Sequence, residues 1–212
     1  MSLNPFYRAP IITIEGADRS TNTILAENLS HNIKNPSNTS PRYNEDMSAI
    51  GFLVSESRKG FGEITDLVQY NLRVANMWEF QPELRQLANT GVTPIFNNYV
   101  FSNRANLLKK GTVSIELCPQ LDAGLLKPDL QIYVKSDPET LKGIPTFFPW
   151  DTPQTRLEQS QAFNKLAETY PNLHVIDNSP EDILNAAHKV LEIYNQLKLE
   201  QLPKITIFNG ID

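Results

Sequence analysis

With 212 residues, 40% of them hydrophobic and 20% charged, the chain has the length and composition of one globular domain. Nineteen Lys and Arg against 24 Asp and Glu leave a net charge of −5, and no basic cluster exceeds Lys109-Lys110, which argues against a nucleic-acid-binding surface. Cys118 is the single cysteine, excluding an internal disulfide and a cysteine-based metal cluster. No apolar run approaches the roughly 20 residues of a membrane span, and the N-terminus lacks a charged-then-apolar signal. The expectation is a soluble intracellular protein, cytoplasmic or nuclear, with neither membrane nor nucleic acid as partner.

In chain order, the β-branched run Ile11-Ile12-Thr13-Ile14 meets Gly16 and a short polar turn, then the helical pattern Leu25, Leu29, Ile33. Strand, glycine turn and helix N-terminus form the frame of a phosphate-binding loop, in which backbone N–H groups and the helix dipole hold an anion. The working motif is G-x-x-x-x-G-K-[ST]. Counted from Gly16, its second Gly falls on Thr21, its Lys on Asn22 and its Ser/Thr on Thr23. The frame is present without its charge.

The polar stretch Asn35 to Pro41 reads as loop alone. Met47, Ile50, Leu53 and Val54 fall at helical spacing, and Gly60 and Gly62 break that run. Ile64, Leu67, Val68, Leu72 and Ala75 predict a second helix that continues through Trp78 to Ala88 and stops at Gly91. Val92 to Phe96 reads as a strand ending at Asn97-Asn98-Tyr99, and Leu130 to Val134 as another. Thr152-Pro153 predicts an N-cap with Pro at the first helical position, opening a helix toward Tyr170. His174 to Asp177 is the last strand, and Ser179-Pro180-Glu181-Asp182 caps a helix with the face Ile183, Ala187, Val190, Tyr194, Leu197. Strands alternating with helices predict one α/β domain with helices on both faces of a parallel sheet. The tail Ile205 to Phe208 is either an edge strand or a docking segment.

Five segments carry a resemblance. Glu15-Gly16-Ala17-Asp18-Arg19-Ser20 resembles E-G-x-D-[RG]-[AST], and Ala75-Asn76-Met77-Trp78-Glu79 resembles A-N-R-W-E. Asn97-Asn98-Tyr99-Val100-Phe101-Ser102 resembles D-R-Y-x-[FY]-S, and Val175-Ile176-Asp177-Asn178-Ser179 fits V-x-D-A-S. Most specific is Cys118 to Leu130, similar to C-x-Q-P-D-x-G-L-x-K-P-D-L. In this order and spacing they resemble the eukaryotic-type thymidylate kinase family over about residues 11–197, leaving 198–212 as a tail. The resemblance implies a P-loop NTPase-like three-layer sandwich, a five-stranded parallel sheet in order 2-3-1-4-5, and a homodimer paired through helices of the first half.

The departures fall on the chemistry. The resemblance implies Lys at Asn22, Gly at Thr21, an Asp-Arg pair at Asn97-Asn98 and Arg at Met77, all engaged with phosphate or its metal. The F-P-x-R segment aligns through Ile50-Gly51 with Tyr43-Asn44-Glu45-Asp46, so a phosphate-binding Arg becomes Asp46. The aromatic that stacks on thymine aligns with Arg73, and the lid E-R-Y-E with Phe148-Pro149-Trp150-Asp151. Retained are Gly16, Asp18, Arg19, Thr23, Asn76, Trp78, Glu79, Tyr99 and Lys127-Pro128-Asp129. Phosphoryl transfer is catalysed by positioning and by cations where charge develops. Each charge-assisted hydrogen bond to phosphate supplies roughly 1.5–3 kcal/mol. Such losses in separate segments leave scaffold without chemistry.

The expected reading is therefore a catalytically impaired homologue acting as a binding or structural protein, with no functional catalytic residue at Asn22, Asn97, Asn98 or Arg19. No cofactor and no metal are expected. The phosphate-loop positions are Gly16, Asp18, Arg19, Ser20, Thr21, Asn22 and Thr23, and the acceptor-side positions are Asp46, Arg73, Asn76, Met77 and Tyr99. The alternative is an active kinase using ATP and Mg²⁺ on dTMP, with Arg19, Arg42 or Arg73 as relocated cation; a third reading is a nucleotide sensor without turnover. Each residue also has a plainer reading. Gly16 serves as a turn, Asp18 as helix cap, Trp78 as core, Cys118 as a packed small hydrophobe, and Arg73 as a partner for Asp46. Ile50, Leu53, Val54, Ile64, Val68 and Leu72 supply more apolar surface than one helix face needs, consistent with a homodimer or a hetero-complex on that face.

Overall fold

A computed structural model describes residues 8–33, 36–39, 49–58, 65–109, 111, 113–146, 151–178, 182–197, 202 and 205–210. All strand pairings are parallel. β1 (Ile12–Glu15) lies between β3 (Thr93–Asn97) and β4 (Leu130–Ser136), with Ile12 opposite both Ile95 and Leu130, and β5 (Leu173–Asn178) pairs with β4 along its whole length. β2 (Ser37–Asn38) adds only Ser37 opposite Thr93 and Asn38 opposite Pro94, giving the order β2-β3-β1-β4-β5. Four of these strands form the extended ladder, and β2 is a two-residue edge. The stretch expected to be loop alone supplies that edge, anchored by Thr93 N–H donating to the Pro36 carbonyl at 2.8 Å. Pro, Ser and Asn are poor strand formers, so pairing stops there.

β1 is buried at every position, as both faces of a parallel sheet carry helices. On one face Ile12, Ile14, Ile132, Val134 and Ile176 pack under α1 (Arg19–Asn32) and α8 (Ile183–Asn195), which contribute Leu25, Leu29, Ala186, Val190 and Tyr194. On the other face Ile11, Phe96 and Tyr99 meet α3 (Asp66–Asn89) through Tyr70, Val74, Met77 and Leu84. A third cluster joins Phe101 and Ala105 of α4 (Val100–Leu108) to Tyr133, Phe163 and Leu166, the latter two from α7 (Pro153–Thr169). α2 (Ala49–Arg58) lies against α3.

The N-cap expected at Thr152-Pro153 is present as a capping box: Thr152 Oγ1 accepts from Thr155 N–H, and Thr155 Oγ1 accepts from Thr152 N–H. Residues 179–181 lie outside the described set, and Asp182 sits at the α8 cap position without a side-chain cap bond. Helices not anticipated are α4, the short turn Ile115–Leu117 running into α5 (Cys118–Leu121), and α6 (Pro138–Gly143). α4 escapes periodicity because it is buried nearly all round, polar Ser102, Asn103 and Arg104 included.

Two further expectations are settled. Trp78 is not core: it is 45% exposed and packs against Gly124, where an added Cβ would stand 2.5 Å from the indole. The tail is a docking segment. Ile207 bridges antiparallel to Leu126, Phe208 N–H donates to the Leu125 carbonyl at 2.8 Å, and Phe208 is buried in the α3-side core. Its ring covers the Arg104 guanidinium together with Phe101 and Tyr170, while Arg104 Nε donates to Asp122 at 2.7 Å. Tyr70 Oη donates to the other Asp122 oxygen at 2.5 Å, so a wholly buried ion pair ties α3, α4 and the tail together. Among the described residues no helix is long and apolar enough to cross a membrane.

Candidate functional site

The loop follows from β1 ending where α1 must begin. Gly16 admits no side chain, since a Cβ there would lie 2.6 Å from the Val134 carbonyl oxygen of β4. Asp18 is the α1 N-cap: its carboxylate accepts from Ser20 N–H at 3.0 Å and Thr21 N–H at 3.2 Å, and from the Thr21 hydroxyl at 2.7 Å. Two of the amides that face an anion in such a loop are thus bonded to the chain's own carboxylate. Asn22, wholly buried, donates its amide to the Gly16 carbonyl at 3.2 Å and to Asn98 Oδ1 at 3.2 Å. Arg19 is exposed on the first turn, and its carbonyl accepts from Thr23 Oγ1 at 2.9 Å.

β3 delivers the two strand-end amides to this loop. Asn97 Nδ2 donates to the Arg19 carbonyl at 3.2 Å and to Thr23 Oγ1. Asn98 Oδ1 accepts from Gly16 N–H at 3.3 Å and from Ser102 Oγ at 2.7 Å, besides Asn22. Glu15, the last residue of β1, is fully buried and accepts from the N–H groups of Tyr99, Phe101 and Ser102, filling the α4 N-terminus with a fixed carboxylate. Burial pushes its carboxyl above the usual range, against the pull of those hydrogen bonds. Sequence reasoning assigned no role to Glu15 or Ser102, although a lone acid closing an apolar strand was a visible signal.

A Mg²⁺ ion does not fit the donor set. The Thr23 hydroxyl already receives a donor hydrogen from Asn97, and an amide stands where a carboxylate would be needed. Among the described residues no group of three His, Cys, Asp or Glu could hold a metal ion.

The acceptor side is divided. Arg73 lines a narrow cleft between α3 and α4 with Asp66, Gln69, Tyr70, Asn103 and Asn106, and the space open to a water centre is about 10 Å³, room for about one water. Met77 is buried in the core, Asn76 is buried with its amide 3.3 Å from Glu79, and Tyr99 stacks on Phe96 while donating to the Leu126 carbonyl at 3.0 Å. Asp46, and with it the Arg73–Asp46 pair, lies outside the described residues, as do Phe148 to Trp150 of the lid. Arg156, which the sequence did not single out, binds the chain on both sides of that segment. It is buried and donates to the carbonyls of Leu141, Ile144, Pro145 and Asp151 and to the Asp151 carboxylate.

Over most of its length the chain is similar to the thymidylate kinase of Danio rerio, 27% identical over 196 residues, covering 90% of this chain and 89% of that one. It is 32% identical over 133 residues to the thymidylate kinase of Schizosaccharomyces pombe and 29% over 130 residues to that of Homo sapiens, covering 62% and 60% of this chain and 63% and 61% of those proteins. The fold matches the structure of thymidylate kinase from Candida albicans with a TM-score of 0.81 at 23% identity, over 95% of this chain and 99% of that one. The chain belongs to the thymidylate kinase family. No protein-family model matches it, in keeping with a divergent member of the thymidylate kinase family. The loop, the end of β3 and α4 are joined by neutral amides and a hydroxyl, Asn22, Asn97, Asn98 and Ser102.

Proposed function

We propose that this thymidylate kinase homologue is a pseudoenzyme that acts as a binding or structural protein. The observation that supports it most is the bonding of Asn22, at the family's Lys position, to Gly16 and Asn98. Transfer of a phosphoryl group needs cations aimed at developing charge, and neutral amides closed on themselves offer little of that. The protein is proposed to work without ATP, Mg²⁺ or another cofactor, inside the cell, as a homodimer or in a hetero-complex that uses the α2–α3 face.

The second reading, an active dTMP kinase with a relocated cation, rests on Arg19, exposed at the loop and in no ion pair among the described residues. A coupled ADP-release assay with ATP, Mg²⁺ and dTMP, on protein free of host kinase, separates the two. The expected result is no turnover above background, with Asn22→Lys failing to restore it because the acceptor side still lacks its arginines. Turnover near the ~1–100 s⁻¹ of working kinases overturns the pseudoenzyme reading.

A further inference from the structure

Among the described residues, Asn98 is the one non-glycine residue with positive φ, at 68°, a conformation that asparagine tolerates better than most side chains. That turn follows the last pairing of β3, where Asn98 N–H still donates to the Ile14 carbonyl at 2.9 Å, and it swings the side chain into the loop. There Oδ1 takes donors from three segments: Gly16 N–H of the loop, Asn22 Nδ2 of α1 and Ser102 Oγ of α4. An amide oxygen surrounded by a backbone N–H and two side-chain donors is bonded as an anionic ligand oxygen would be.

The closure has a defect. With both Asn22 amide hydrogens directed at the Gly16 carbonyl and Asn98, its Oδ1 is buried with no donor, and it lies 3.1 Å from where a Gly16 Cβ would stand. A buried carbonyl oxygen without a partner is an unmet demand inside the loop. It is one that a protonated phosphate or a bound water would meet once Asn98 is withdrawn.

We propose that Asn98 is an autoinhibitory latch, an internal ligand that holds the phosphate loop shut against β3 and α4. The latch rests on the reading of the loop as non-catalytic and adds how ligand is kept out. Closed, the loop rejects polyphosphate; released, it offers the anion the three donors Asn98 Oδ1 had taken, Gly16 N–H, Asn22 Nδ2 and Ser102 Oγ, but does not transfer it.

The test is calorimetric titration of inorganic tripolyphosphate into the full chain and two variants. Asn98→Gly removes the amide while accommodating the positive φ, and Ser102→Ala removes the shortest of the three bonds while leaving Asn98. The expected result is no measurable binding to the unaltered chain at millimolar anion, at least tenfold tighter binding to Asn98→Gly, and a smaller gain for Ser102→Ala. Equal affinity across all three, or binding to the unaltered chain as tight as to Asn98→Gly, overturns the latch. If Asn98→Gly fails to give a cooperative melt, Ser102→Ala decides alone, and no gain there overturns it. dTMP phosphorylation by Asn98→Gly would overturn the pseudoenzyme reading and leave the latch standing.

Discussion

Arg104 joins several segments of this fold through one side chain. It is wholly buried, charge-paired with Asp122 and covered by three rings, and Tyr70 donates to the second carboxylate oxygen. Burial pushes the Asp122 carboxyl up while Arg104 and Tyr70 pull it back. Removing one partner strands the other, so Arg104→Ala is expected to destabilise by about 3–5 kcal/mol in urea unfolding. Arg104→Met with Asp122→Leu is expected to recover most of that, since a well-packed apolar pair avoids desolvation. Cys118 illustrates a different residue-scale effect. Burial pushes its thiol up to about 11 from an ordinary 9.0. A raised acid favours the folded state while protonated. Its contribution is therefore complete below pH 9 and lost as pH climbs toward 11. Urea midpoints between pH 8 and 11 should fall less steeply in Cys118→Ala, and iodoacetamide should label native protein at pH 8 far more slowly than unfolded protein.

At the scale of elements, the tail is the segment whose role depends on its neighbours. Ile205 to Phe208 carries no periodicity of its own, and its partner segment around Leu126 is no strand of the sheet. What seats it is Phe208 entering the α3-side core and two backbone bonds besides, Gly124 N–H to the Phe208 carbonyl at 2.7 Å and Lys127 N–H to Thr206 at 2.9 Å. Phe208→Ala is expected to cost about 3–5 kcal/mol, measured as a drop in the urea midpoint. It should also open the Arg104 site to hydrogen exchange, with slowed exchange at Gly124 and Lys127 lost first. An unchanged midpoint would mean the tail merely rests on the surface.

For the whole molecule, the question is which surface meets a partner. Phe52 and Leu53 of α2 and Leu67 and Val68 of α3 are 56%, 52%, 39% and 48% exposed on two packed helices. Val54, which the sequence grouped with that face, is core instead at 1% exposure, Ile50 and Leu72 are half-buried, and Ile64 lies outside the described residues. Exposed apolar patches of this kind mark association surfaces. Sedimentation is expected to give twice the 24.0 kDa chain mass, and Phe52→Glu with Val68→Glu to give the monomer with an unaltered circular-dichroism spectrum. A concentration-independent monomer for the unaltered chain would rule the homodimer out.

How much of this was legible beforehand follows from the range of each interaction. The β-branched run before Gly16, the Thr152-Pro153 cap and the amphipathic face of α8 are local, set by residues within a few positions of one another, so periodicity and turn chemistry determine them. The family motifs are likewise linear, and they carried the kinship and the parallel α/β class. Side-chain amides behave otherwise. Nothing near Asn97 or Asn98 in the chain states that they will bond Thr23 and Asn22 across 74 and 76 positions, because an amide bonds to whatever donor or acceptor the fold brings within about 3 Å. The same holds for Arg156 on the Ile144 carbonyl, Trp78 on Gly124, and Phe208 over Arg104. The sequence alone determined the class of scaffold. Only the tertiary structure decided what the remaining polar groups bond to, since burial forces each to find a partner that local sequence does not name.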